Sequence, residues 1–144
     1  MQLLFIKIVL GLLFLVTGSA YSADLQQGLK AAMEKNYKLA LEEWQPLASE
    51  GNPWAQYNLG HMYRQGHGVE ANSAVAFTWY LKSAEQGLAV AQFAVGAAYS
   101  NADGVTQDYE EAARWFFLAA EQENFSAQYQ LGRMHLYGIG VPQH

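Results

Sequence analysis

The stretch Ala55–Val90, AQYNLGHMYRQGHGVEANSAVAFTWYLKSAEQGLAV, decides the reading of this chain, because it returns 36 residues later from Ala91 to Ser126 and begins a third time at Ala127. The first two copies agree at 11 of 36 positions: Ala55/Ala91, Gln56/Gln92, Gly60/Gly96, Tyr63/Tyr99, Gly68/Gly104, Val69/Val105, Ala76/Ala112, Trp79/Trp115, Ala84/Ala120, Glu85/Glu121 and Gln86/Gln122. Small, aromatic and glycine residues recurring in one fixed phase are the mark of stacked structural repeats. The shorter third copy keeps Ala127, Leu131 in the place of Leu59, Gly132, Gly138, Gly140 and Val141.

Each copy reads as two helices. Asn52-Pro53 supplies an N-cap and a proline at the first helical position. The helix that follows carries Ala55, Leu59, Met62 and Tyr63 on one face and ends at Gly66-His67-Gly68. Asn72 caps a second helix that runs through Gln86, and Asp108 and Asn124 repeat the two cap positions downstream. Glu123 stands where Gly51 and Gly87 close the earlier copies, so a differently built turn is expected there. Upstream, Asp24–Glu34 predicts a helix with Leu25, Leu29, Ala32 and Met33 on its apolar side, and Tyr37–Ser49 a second with Leu39, Ala40, Trp44 and Leu47. Pro46 is expected to bend that second helix or tighten its last turn. Together they form a divergent first hairpin with a shortened loop. In this scheme Ala55, Gly60 and Ala76 let helix axes approach, while Trp79/Trp115, Tyr80/Phe116 and Tyr63/Tyr99 fill the gaps between hairpins. Val69 and Val105, which follow the loop glycines, count as structural positions of the same motif. The fold class is all-α, an α/α solenoid.

The first 23 residues stand apart. Lys7 is their only charge, Ile8–Val16 is apolar, and Thr17-Gly18-Ser19-Ala20 is a run of small residues. That order is the order of a secretory signal peptide, with cleavage expected after Ala20, Ser22 or Ala23. The apolar run is far short of the roughly 20 residues a spanning helix needs. The organisation is then 1–23 signal peptide, 24–51 first hairpin, and repeats over 52–87, 88–123 and 124–144, the last incomplete. Export to the periplasm or medium of a bacterium is the expected location. Without Lys7 the chain holds 7 basic and 13 acidic side chains, net −6. An acidic chain of this kind is no partner for nucleic acid or for anionic lipid. There is no cysteine, so packing alone must hold the fold.

The pattern Ala55, Leu59, Gly60, Tyr63, Gly66, Gly68, Val69, Asn72, Ala76, Trp79, Ala84, Glu85, Gln86, Gly87 resembles the Sel1-like repeat, a relative of the tetratricopeptide repeat, and the likeness extends from about Leu25 to His144. The resemblance implies a right-handed superhelix of helix hairpins acting as an adaptor between proteins.

Four histidines raise the question of a metal, but His61, His67, His135 and His144 include no i, i+4 pair on one helix. Gly66-His67-Gly68 and Gly138-Ile139-Gly140 lack the strand and the longer glycine pattern of a phosphate loop. Glu42-Glu43 and Glu110-Glu111 are helix neighbours that point apart. No catalytic set, metal or cofactor is expected. The candidate surface is a stripe: Tyr57, His61 and Arg64 at i, i+4, i+7, continued in phase by Phe93 and Ser100, then Tyr129 and Arg133. Aromatic and cationic residues on what the resemblance implies is a concave face suit a peptide, although Tyr57, Phe93 and Tyr129 could equally pack between hairpins. The function expected is an exported module that binds an unidentified protein or peptide. The alternatives are a binder or hydrolase of cell-wall or β-lactam-type ligands, or a truncated piece of a longer repeat protein. With no partner helix after Phe125–Tyr137, Ala127, Leu131 and the region around Phe117 are expected to face solvent and to favour weak self-association.

Overall fold

The computed structural model describes residues 22–141, so the leader, its cleavage points up to Tyr21 and the terminal His144 lie outside the described residues. Within them the chain is helical throughout, with no strand: α1 over 22–33, α2 Tyr37–Ser49, α3 Pro53–Gln65, α4 Ser73–Glu85, α5 Ala89–Asn101, α6 Tyr109–Glu121 and α7 Phe125–Tyr137. No described helix is long and apolar enough to cross a membrane. α1–α2, α3–α4 and α5–α6 are hairpins, and α7 begins another. The loop of the first hairpin is shorter than the seven-residue loops 66–72 and 102–108, as its sequence predicts.

Local chemistry sets the helix ends. The side chains of Asn52, Asn72 and Asn124 each accept the backbone N–H three residues on at 3.0 Å, and Asp108 accepts from both Glu110 and Glu111. Each such cap contributes about 1 kcal/mol. Asn36 does the same for α2, a cap that the sequence reading did not single out. The turn at Glu123 is a correction. It is built like the others, with Glu123 itself left-handed at φ 62° where Gly87 has 91°. The Asn124 N–H reaches the Ala119 carbonyl at 3.1 Å, as the Asn52 N–H reaches Leu47 at 2.9 Å. Closing the same hydrogen bond outweighs the 1–2 kcal/mol or so that a side chain costs in that conformation. Pro46 sits exposed within an α2 that is assigned as one helix across it.

Packing inside each hairpin follows one rule. The first helix offers a glycine and the second lays an aromatic ring on it. Trp44 covers Gly28, Tyr80 covers Gly60 and Phe116 covers Gly96, so close that an added Cβ would stand 2.6 Å from the Tyr80 ring and 2.7 Å from the Phe116 ring. Tyr80 and Phe116 therefore fill space within hairpins rather than between them. Trp79 and Trp115 do bridge hairpins, but only half-buried, Trp79 against the first core cluster and Trp115 against the middle one. In α1 the buried positions are Gly28 and Ala31. Met33, expected on the apolar side, is 84% exposed, and Leu29 is largely exposed as well.

The loop valines are a second correction. Val69 packs against the first core cluster and Val141 against the last. Val105, read as the equivalent structural position, is half-buried and is packed against none of the three clusters. Its loop is held by other contacts. Arg64 forms an ion pair with Asp103, and the adjoining Gly104 lies against the Ser73 carbonyl, so that loop does not depend on an apolar anchor at Val105.

Glutamines knit successive hairpins together. Gln56 donates to the Ala48 carbonyl and accepts from Gln86; Gln92 donates to Ala84 and accepts from Gln122. This buried pair of bonds accounts for two of the repeat identities, Gln56/Gln92 and Gln86/Gln122. At the far end Ala127, expected in solvent, is 0% exposed because α7 packs it onto α6. The expectation holds for Phe117, which is 55% exposed.

Candidate binding face

The first helices of the hairpins, α1, α3, α5 and α7, lie side by side with a groove between each neighbouring pair. The ring of the intervening second helix lines each groove: Trp44 the first, Tyr80 the middle one, Phe116 the third. Their volumes are about 290, 120 and 280 Å³. Because Trp44, Tyr80 and Phe116 are spaced by 36 residues, these are three copies of one groove.

Their rims differ. In the first groove Leu29, Met33 and Tyr37 face Asn58 and His61, and the His67 ring stacks on Tyr37 at 4.2 Å between centroids and 6° between planes. His61 lies 6.1 Å from His67. Those two histidines, read from the sequence as unrelated, share one rim. Burial first, then the nearby His67 and Arg64, lower the His61 pKa below its ordinary value. In the middle groove Tyr57, His61 and Arg64 face Phe93 across Tyr80. Arg64 Nε donates to Asp103 Oδ2 at 2.8 Å. The Ser73 side chain also hydrogen-bonds Asp103, and these contacts outweigh burial and hold its carboxyl below the usual range. In the third groove Ala97 and Ser100 face Arg133, Tyr137 and Ile139. Arg133 lies over the Tyr129 ring, 5.9 Å from its centroid.

The predicted stripe is thus divided. Tyr57, His61, Arg64 and Phe93 meet in the middle groove, whereas Ser100 and Arg133 belong to the third, with Tyr129 beside them. The two readings of the aromatic positions are both partly met. Tyr57 and Phe93 are half-buried, each ring 5.6 Å from Tyr80 or Phe116, and still line the groove; Tyr129 is exposed. Sequence reasoning missed the loop position His67/Asp103/Ile139, which projects into each groove. The signal was available, since each of these residues immediately precedes a repeat glycine, Gly68, Gly104 or Gly140. Those glycines set the loop down on the preceding hairpin. A Cβ on Gly104 would run into the Ser73 carbonyl, and one on Gly140 into that of Tyr109. Among the described residues no three His, Asp or Glu side chains are grouped as metal ligands.

The family model described as Sel1 repeat matches residues 55–88, 89–124 and 125–143, boundaries shifted by one to three residues from the helix caps. Two solved structures are similar. A Sel1 repeat protein from Oxalobacter formigenes is 36% identical with a TM-score of 0.80, the match covering 83% of this chain and 49% of that one. A protective antigen present in uropathogenic Escherichia coli strains, displaying an SLR fold, is 37% identical with a TM-score of 0.82, covering 88% of this chain and 28% of that one. The chain thus spans half or less of the length of either. No curated protein matches it.

Proposed function

Because the chain belongs to the Sel1 repeat family, whose members are generally protein–protein interaction modules, we propose that it is an exported module that holds an extended segment of a partner protein along the row of grooves between α1, α3, α5 and α7. One observation carries this reading. The residues that repeat in phase are those that pack, cap or turn, whereas the groove rims change from one copy to the next. His61 and His67 edge the first groove, Arg64 and Asp103 the middle one, Arg133 and Ile139 the third. A scaffold repeated for stability and varied on one face can recognise different side chains at successive positions of one bound strand. The apolar floors would supply affinity, and the charged rims register and selectivity.

The test places a photocrosslinking residue at Phe93 and maps the adducts in cells. Partner adducts should form there and should be lost in Tyr57→Ala/Arg64→Ala with the far-UV helical signal unchanged. Adducts that form equally well from Thr78, on the exposed side of α4, and survive the double substitution would remove the groove reading. Export rests on the order of charge, apolar run and small residues before Asp24. N-terminal sequencing of the chain recovered outside the cytoplasm should begin at Tyr21, Ala23 or Asp24. An intact Met1 on a chain confined to the cytoplasm would end the export reading.

A further inference from the structure

The end of the array formed by α6 and α7 carries a seat that the rest of the molecule fills three times. Gly28, Gly60 and Gly96 each lie under an aromatic ring of the following helix. Gly132 holds the same repeat position on α7, and no atom stands within 4 Å of where its Cβ would be. Gln128 repeats the first half of the glutamine arrangement, donating to the Ala120 carbonyl at 3.2 Å. No described side chain donates to its Oε1 as Gln86 and Gln122 do to Gln56 and Gln92. Leu131 is only partly buried, where Leu59 and Val95 are closed off completely. Beside these positions an apolar groove of about 600 Å³ opens along Phe117, Leu118, Leu131, His135 and Val141.

We infer that this groove is a docking site for one amphipathic α-helix, seated on α7 as α4 is seated on α3. The three internal copies specify its chemistry. It carries a small residue, an aromatic four positions on to lie over Gly132, and a glutamine six positions beyond that to reach Gln128. This is the spacing Ala76–Tyr80–Gln86 and Ala112–Phe116–Gln122. A second large ring just before the first, in the place of Trp79 or Trp115, fills the groove over Phe117. A second copy of this chain does not meet the specification. The segments that carry the spacing, α4 and α6, are already seated on α3 and α5. The site is separate from the groove row and independent of the partner proposed there.

The test titrates the full-length chain with a fluorescent synthetic peptide of residues 72–87, stapled between positions 74 and 78 on its exposed side to hold it helical. Saturable one-to-one binding is expected. Tyr80→Ala in the peptide should weaken it at least about tenfold, as loss of a central aromatic anchor does. Gly132→Leu in the chain should weaken it as much with no loss of thermal stability, since the new side chain meets open space. Arg64→Ala in the chain should leave the affinity unchanged. No saturable binding, or equal affinity for Gly132→Leu, would overturn the proposal. So would an affinity that follows Arg64 instead of Gly132, which would put the peptide on the groove row. A dimer of the chain that excludes the peptide and is itself broken by Gly132→Leu would assign the groove to a second copy.

Discussion

Gly96 and Gly132 occupy the same place in two copies of one sequence, yet they live in different surroundings. Gly96 is pressed under the Phe116 ring, with the Ala112 carbonyl oxygen 3.2 Å from its missing Cβ; Gly132 looks onto open space. The repeat gives both the same identity, and the next helix gives only one of them a reason for it. A repeat position is therefore a statement about a neighbour. The chemistry of such a residue is known only when the helix that covers it is known.

That comparison can be broken at its covering ring first. Phe116→Ala empties a fully buried site between α5 and α6, and it should cost about 3–5 kcal/mol in denaturant unfolding. Phe125→Ala, at a position 80% exposed, should stay within about 0.5 kcal/mol of the parent. Trp115, half-buried between hairpins, should fall between the two. Equal losses for Phe116 and Phe125 would mean that the ring is not the core of its hairpin.

The glycines themselves sharpen it with opposite signs. Gly96→Ala forces a methyl into the Phe116 ring and should cost about 1–3 kcal/mol, the usual range for overpacking. Gly132→Ala adds a methyl to an exposed helix interior with nothing above it and should stabilise by about 0.5–1 kcal/mol through helix propensity alone. The difference is read from thermal or denaturant midpoints of the two single variants. If both destabilise alike, the α7 end is covered in solution.

The fold was legible in the sequence because its causes are local and repeated. Asn52, Asn72, Asp108 and Asn124 announce helix starts, and the 36-residue phase multiplies each signal. The misreadings have physical reasons. Glu123 looked like a break in the pattern because conformational preference is counted per residue, whereas the turn is held by a hydrogen bond between its neighbours. Met33 looked buried because helical spacing marks a stripe but not its edges. Val105 looked like a core anchor because it repeats Val69, although the ion pair of Asp103 with Arg64 holds its loop instead. Trp79 and Trp115 drew attention as the largest rings, although Tyr80 and Phe116 close the hairpins. The candidate face was legible only in part. Tyr57, His61, Arg64 and Phe93 share an edge that helical spacing reveals. His67 and Asp103 reach the same grooves from loops, whose direction no periodicity encodes.

The smallest expected effect concerns the rim where the first and middle grooves meet. His61 has its pKa lowered, first by burial, then by His67 and Arg64. A histidine whose folded pKa lies below its unfolded value binds protons more readily in the unfolded chain, so acid draws the equilibrium toward unfolding. Stability from this source is full above the ordinary histidine value of 6.5. It declines as pH falls through that value and is wholly lost below the folded one. Asp103 works in the same direction but lower, since its depressed pKa gives stability that is lost only as pH falls through the carboxylate range. The two are separated by keeping measurements between about pH 7.5 and about pH 5.5, above that range. There the denaturant midpoint of the parent should fall more than that of His61→Gln. The same two curves compare the grooves: the third has Arg133 and Ile139 at its rim, so His61→Gln should remove the difference that these grooves contribute. Parallel curves for the two proteins would show that His61 titrates as freely as in the unfolded chain, and that the rim between the first and middle grooves is open to water.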